Sequence, residues 1–399
     1  MRYSPSPRTG AISLITLIAI PVLLLLAGLV IYVASLRDSK IEVQNAADAA
    51  ALAAGYALAS DDWLTLDTDR AIARLEQARA AAAAVAAVHF SFGEPLRFDP
   101  NRDHQPDGDI VFGHLDRPLG RFQPAGAHPR EWVGDQINAV RLTLSRSPLK
   151  APLGGRSSSE PVRSRATAML DWHVIGLAPL RDEACPLVPI ALFTDEAETA
   201  EFGWRFACQN GRDEWRFDPI AQQFVPGRDG IREVEVVIGT PVWGALTVPA
   251  VFLQLGAESA EVTLKQIRAG VNREHLAKWG GELSLGIHNT VSVPGSGECP
   301  PSSDPNRSRL DDALRLAARS GPRIWPLCVG VREDDGSFLI GGWAGARIVT
   351  VDALEGGGIR LLLQPAVVTH PAIVADPGHT PPPAYWRGNR TVCAVRLAE

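Results

Sequence analysis

The chain has 399 residues and a mass of 42.8 kDa, with 46% hydrophobic and 21% charged side chains. That balance excludes general disorder and suffices for one large core or two ordinary ones. Its 39 basic and 45 acidic residues leave a formal charge of −6, which gives no electrostatic reason to bind nucleic acid. Apart from Lys40, Lys150, Lys265 and Lys278 the basic residues are arginines, scattered singly rather than gathered in a patch.

Residues 11–36 carry no charge, and at about 1.5 Å per helical residue they cross a hydrocarbon core of about 30 Å. Pro21 is the one helix-breaker in this run, and an apolar environment tolerates it with a kink at most. A cleaved signal peptide has a shorter apolar core of about 7 to 15 residues and a small-x-small site. Ala34-Ser35 makes a poor site of that kind, so the run is predicted to be an uncleaved transmembrane helix in contact with membrane lipid. Arg2 and Arg8 before the span are matched by Arg37 and Lys40 after it; the free amino terminus tips the balance toward a cytoplasmic tail at residues 1–10. No later stretch is long and apolar enough to cross, so the remainder is expected on the extracytoplasmic side.

After the span the chain reads Ile41-Glu42-Val43-Gln44-Asn45-Ala46-Ala47-Asp48-Ala49-Ala50-Ala51-Leu52-Ala53-Ala54-Gly55, an alanine-dense helix with little bulk. Together with Arg8-Thr9-Gly10-Ala11-Ile12, this run resembles the amino-terminal region of the TadG-like family of Flp (tight adherence) pilus-assembly proteins, over roughly residues 8–58. The resemblance implies a bacterial inner-membrane protein with its bulk outside the cytoplasm, partnered by pilin-like or Tad secretion-machine subunits. It implies no catalysis and no cofactor. Prepilin-like processing cuts after a glycine and favours glutamate at the fifth position beyond; Gly10 is followed at that position by Ile15, so an assembly role is expected rather than a major pilin. The Asp-x-Ser-x-Ser metal motif of longer family members does not occur.

Small side chains let helix backbones approach closely, which makes Gln44, Asn45, Ala46, Asp48, Ala50 and Ala53 candidates for contact with a partner helix. The same face would equally serve a hairpin within the chain. A second helix is predicted over residues 70–88, capped by Asp69 or Thr68, so that residues 37–90 form an alanine-rich helical stem.

From about residue 91 the composition shifts to glycine, proline and tryptophan, with short apolar segments between turn signals. Two-residue alternation predicts strands over residues 109–113, 138–144 and 163–174. Further strands are predicted at 233–238, 324–331, 347–351, 359–363 and 391–397, with a loop at 154–159. Two helices are expected, at 272–279 after Asn272 and before Gly280-Gly281, and at 307–319 before Ser320-Gly321-Pro322. The run Gly341-Gly342-Trp343-Ala344-Gly345 reads as a tight hairpin or loop, and residues 370–386, rich in proline, as an extended loop. The fold class is therefore α+β: a transmembrane helix and helical stem followed by a strand-dominated body. The prolines near residue 180 allow a division of that body there; a single continuous unit is the other reading.

No hydrolase, phosphate-binding or zinc signature occurs. Among Cys185, Cys208, Cys299, Cys328 and Cys393 there is no close pair for metal. In an oxidising compartment Cys185 with Cys208 and Cys299 with Cys328 would close two loops of moderate length; buried thiols are the alternative. The acidic stretch Asp99, Asp103, Asp107 and Asp109 offers oxygen ligands of the kind calcium takes, but with His104 and Ile110 where an EF-hand needs glycine and glutamate; ordinary turns explain it equally. Ten tryptophans, among them Trp204, Trp215, Trp243 and Trp325, leave a second function open: an anchored binding module for a cell-wall or extracellular ligand.

Overall fold

Uninterrupted apolar and then alanine-rich sequence makes one helix, α1 (Thr9–Leu58), 50 residues long, or about 75 Å at the helical rise. Pro21 lies inside it without ending it. The helix has two environments. Between residues 17 and 33 its large aliphatic side chains are exposed, Leu17 at 71% and Val30 at 67%. Val43, Ala46, Ala47, Ala50, Ala51, Ala54 and Leu58, in contrast, are buried. The computed structural model describes residues 9–65, 67–116, 120–125, 137–148, 161–195, 203–239, 247–256, 259–286, 290–295, 305–354, 357–376 and 391–398, the side chains of 9–15 and 305 excepted.

A short 3-10 turn at Asp61–Leu64, capped by Ser60, reverses the chain into α2 (Thr68–Val88). The cap of α2 is Asp67, whose carboxylate accepts from the N–H groups of Asp69 and Arg70. The cap thus falls one residue ahead of the expected Thr68 or Asp69. From position 67 a carboxylate reaches the second and third free amides of the helix, the usual geometry of such a cap.

Seven strands follow: β1 (Phe90–Ser91), β2 (Glu94–Pro95), β3 (Ile110–Asp116), β4 (Arg121–Pro124), β5 (Ala139–Arg146), β6 (Val162–Asp171) and β7 (Val174–Leu177). The strand expected over 163–174 is therefore two strands in different sheets. The Asp171 carboxylate accepts from the His173 N–H at 3.1 Å, a local turn that redirects the chain. The loop expected at 154–159 lies outside the described residues.

The rest of the body comprises β8 (Ile190–Phe193), α3 (Trp204–Asn210), β9 (Trp215–Asp218), β10 (Gln223–Pro226), β11 (Val234–Ile238), β12 (Thr247–Phe252) and α4 (Ala260–Ala269). It continues with β13 (Leu283–Ser284), β14 (Val291–Val293), α5 (Pro305–Ala318), β15 (Arg323–Val331), β16 (Phe338–Ala353), β17 (Ile359–Pro365), β18 (Val368–Thr369), β19 (Ile373–Ala375) and β20 (Val392–Leu397). The fold is α+β, an amino-terminal apolar helix followed by a strand-rich body that contains a barrel.

Two sheets organise the body. In the first the order is β18-β20-β6-β5-β3-β4, antiparallel except where β18 runs parallel to β20. In the second, β16-β15-β8-β12-β11-β17 closes on itself through a β16–β17 pairing, and β14 adds to β16 outside the ring. Closure depends on the length of β16: its first part pairs with β15, from Val331↔Phe338 to Arg323↔Ala346, and its second with β17, from Ala346↔Pro365 to Ala353↔Ile359. Side chains of all six ring strands, such as Ile190, Val236, Ala250, Trp325, Ile348 and Leu361, meet in one core that α4 and α5 share through Ile267 and Leu314. A small sheet, β13-β7-β19, covers a second apolar cluster on Phe193, Cys328 and Trp343.

Two readings of the sequence are corrected here. The run at 341–345 is not a turn but the middle of β16. A Cβ on Gly345 would lie 2.3 Å from the Ala366 carbonyl oxygen and 2.4 Å from that of Thr391, so Gly345 marks a close passage of backbone over backbone within a strand. The helix expected at 272–279 shrinks to a 3-10 turn at Ala277–Trp279. Asn272 Oδ1 accepts from the His275 N–H at 3.0 Å, a side-chain turn that competes with helix, and Gly280 ends the segment at φ 76°. The helix expected at 307–319 is α5, while α3 and α4 were not anticipated.

Candidate helix interface of the stem

Ala46, Ala47, Ala50, Ala51 and Ala54 of α1 are packed inside the chain's own body. Ala46 and Ala50 are fully buried in a core shared with Ala78, Ala82 and Ala86 of α2, Leu142 of β5, and Ala166 and Ala168 of β6. Small residues on all three elements let two helices and a sheet approach closely. Gly55 shows the limit: a Cβ there would lie 2.7 Å from Val395 Cγ1 and 3.2 Å from the Cβ of Ala168.

The six predicted interface residues therefore separate into three groups. Ala46 and Ala50 face inward. Gln44 and Asp48 are half-buried and bonded to each other, Gln44 Nε2 donating to Asp48 Oδ1 at 2.7 Å and also to the Arg165 carbonyl at 3.3 Å. Asn45 is exposed and Ala53 half-buried. The outward stripe of the packed half of α1 is made by Ile41, Asn45, Ala49, Leu52 and Tyr56, with Ile41 at 58% and Tyr56 at 48% exposure. Their spacing of three or four residues is that of one helix face. Ile41, Leu52 and Tyr56 escaped the sequence reading, which followed small side chains rather than that spacing.

At the point where α1 leaves the body, Ser39 is buried. Its hydroxyl lies 3.1 Å from that of Ser91 and accepts from Arg146 Nη1 at 3.4 Å. At the other end the α1–α2 turn is tied to the barrel. Asp61 pairs with Arg347 and accepts from the Val367 N–H at 2.6 Å. Arg70 of α2 donates to the Asp229 carbonyl at 2.7 Å.

Behind that contact lies a polar knot. Gln364 is fully buried, its amide nitrogen 3.0 Å from the Trp215 carbonyl, 3.2 Å from Asp229 Oδ2 and 3.3 Å from Glu233 Oε1. Glu233 also accepts from the N–H groups of Glu214 and Trp215. Burial pushes the carboxyl groups of Asp229 and Glu233 above their ordinary values, and the nearby Asp213 charge adds to this. The knot ties β17 to the segments around Trp215, Asp229 and Glu233.

The remaining candidates also resolve into structure. Cys185, Cys208, Cys328 and Cys393 are free thiols. The expected Cys185–Cys208 bond is not made, because Cys185 sits in the core under the small sheet and Cys208 packs against the barrel core. Cys299 lies outside the described residues. In the acidic stretch, Asp109 accepts from the Asp99 N–H at 2.8 Å, Asp99 from the Asn101 N–H at 2.9 Å, and buried Asn101 donates to the Ile110 carbonyl at 2.7 Å. Two of the carboxylates thus shape the loop, and among the described residues no three His, Cys, Asp or Glu side chains gather as a metal site. Trp204 and Trp325 are core residues, Trp215 is half-buried, and Trp243 lies outside the described residues.

No curated protein and no solved structure matches this chain. Residues 10–59, which cover the apolar span and the packed half of α1 up to its turn, match the family described as putative Flp pilus-assembly TadE/G-like.

Proposed function

We propose that the chain is a non-catalytic, single-pass envelope protein, TadG-like in its stem, that serves in assembling or anchoring a Flp/Tad pilus-like surface structure. The amino terminus is cytoplasmic and the body extracytoplasmic in this reading. The observation that carries it is the continuity of α1: one helix is exposed and apolar over a length that crosses a bilayer, then built into the core of the body. No break separates anchor from body, so a force or displacement on the span reaches the sheet directly. The stripe at Ile41, Asn45 and Tyr56 is exposed among the described residues and is available to meet pilin-like or secretion-machine subunits.

Photocrosslinking in native membranes tests this, with a photoreactive group at Asn45 and a matched group at Ile220 of the body, which is exposed. Capture of pilin-like or secretion-machine subunits from Asn45, but not from Ile220, is the expected result. Repeated recovery of lipid or this chain alone from a well-expressed protein would overturn the assembly role. The stem would then be a tether, and a ligand of the body would become the working reading.

A further inference from the structure

The first hairpin of the body carries an apolar surface that is largely exposed among the described residues. α2 returns along α1 toward the span and ends at Val88, which is 71% exposed; Phe90 is 57% and Phe92 49% exposed. These residues lead into β1 and β2, whose register is Phe90↔Pro95 and Ser91↔Glu94, so Phe92 and Gly93 are the two residues of the turn. Both have positive φ, 49° and 76°, as a tight type I′ hairpin turn requires. Asparagine or aspartate is the residue such a turn favours before glycine, and a bulky aromatic at positive φ is an outlier. Turn geometry therefore disfavours phenylalanine at the tip; the one local contact in its favour is the Arg146 guanidinium over its ring, and half of the side chain still faces solvent.

Position supplies the reason. The Ser39–Ser91 contact at 3.1 Å fixes the hairpin to α1. Ser39 is three residues beyond the end of the uncharged run at Leu36, roughly 4.5 Å along a helix axis. Arg146 holds the hairpin there from a third side: it donates to Ser39, lies 4.0 Å from Glu94 and stacks 5.3 Å from the centre of the Phe92 ring. Exposed Arg37, Asp38, Lys40 and Glu42 flank the same level, a mixed-charge collar of the kind that sits in the polar headgroup region.

We infer that the Phe90–Phe92 hairpin, with Val88, is a membrane-surface foot that inserts into the headgroup–acyl boundary of the bilayer crossed by α1. The inference rests on the reading of α1 as a membrane span. Exposed aromatic and aliphatic side chains at the level where a span ends are the chemistry that occupies this boundary. Together with the span the foot makes a second attachment, which sets the tilt of the body over the membrane.

The test uses the full chain in nanodiscs of phosphatidylethanolamine and phosphatidylglycerol, with 4-trifluoromethylphenylalanine placed in turn at Phe92, Leu25 and Ile220. Fluorine line broadening is read with lipids spin-labelled near the headgroup, with lipids labelled at the acyl end, and with a water-soluble gadolinium chelate. The expected result at Phe92 is loss of signal with the headgroup-proximal label and protection from the chelate. Leu25 should respond to the acyl-end label, and Ile220, 94% exposed, to the chelate alone. If Leu25 is in lipid while Phe92 behaves like Ile220, the foot is refuted and the span stands. Phe92 shielded from chelate and lipid alike would mean a protein contact and also refutes the foot. If Leu25 itself responds only to the chelate, the membrane span fails and the foot with it.

Discussion

Asp61, on the turn between the two stem helices, forms an ion pair with Arg347 of β16, 286 residues away in sequence. The Arg347 guanidinium also stacks on Phe217 at 4.4 Å, and the second oxygen of Asp61 takes the Val367 N–H. One carboxylate thus joins the stem to the barrel and to the segment that leaves it. With side chains only 25% and 12% exposed, Asp61→Ala is expected to cost about 2 kcal/mol, in the range for hydrogen bonds to charged groups. A cycle with Arg347→Met should give a coupling energy of about 1 kcal/mol, measured by denaturant unfolding of the full chain in detergent. Strictly additive single effects would show that the pair does not couple the layers.

Gly55 is held at its position by the sheet, not by the helix. Gly55→Ala gains about 1 kcal/mol of helix propensity but sets a methyl 2.7 Å from Val395 Cγ1, and overpacking of this kind costs about 1–3 kcal/mol. The expected balance is a net loss of stability. In a Val395→Ala background the same change should be neutral or stabilising, since the clashing methyl is gone. Thermal unfolding of the four proteins decides this; an equal loss in both backgrounds would place the strain elsewhere.

The inward and outward faces of α1 should respond oppositely to bulk. Ala50→Leu forces three methylene-sized groups into a fully buried site and is expected to destabilise the body by about 1–3 kcal/mol. Asn45→Leu, on the exposed stripe, should stay within about 0.5 kcal/mol while altering capture of any partner helix. Circular dichroism melts together with crosslinking from Tyr56 separate the two effects. A stable Ala50→Leu protein would mean that the stem is not packed on the sheet as described.

The stem was legible because its signals are local: an uncharged run, an alanine pattern, and aspartate ahead of a helix. A strand with clean alternation, such as β5, was legible for the same reason. The barrel was not, since its closure rests on one long strand that changes partner at Ala346. Its interior strands β8 and β12 are short and bounded by proline or by segments without alternation. The glycines of β16 misled because close backbone passage and turning use the same residue. The small face of α1 pointed correctly to close helix packing, and the hairpin reading places α2 on it as the structure does; nothing in the sequence could say that β6 shares that face.

The thiols provide a further check on the core. Burial pushes Cys185 and Cys328 up to about 11 and raises Cys393 as well, so little thiolate exists near neutral pH to attack an alkylating agent. Native protein treated with iodoacetamide at about pH 8 should remain unlabelled at these three positions, and denaturation without reductant should expose all three to labelling. A peptide joined through Cys185 and Cys208 in the mass spectrum would overturn the separate placement of those residues.

The knot around Gln364 predicts an unusual pH dependence. Carboxylates paired in a native state normally lose stabilising contacts as pH falls. Glu233 and Asp229 are displaced the other way, above their ordinary values, because burial disfavours their charged forms more than their hydrogen bonds favour them. The folded chain then binds these protons more tightly than the unfolded chain does, and stability falls as pH rises between the ordinary carboxylate value of about 4 and the raised folded value. Below that window the contribution is fully present; above it, it is lost. Glu233→Gln carries a fixed cost, since one of the two acceptors for the Glu214 and Trp215 amides becomes a donor, but its side chain no longer titrates. The melting temperature of the native chain should therefore gain on that of Glu233→Gln as pH is lowered from neutrality toward about 4.5. A difference that stays constant with pH, or that shrinks on acidification, would show that Glu233 is not held above its ordinary value.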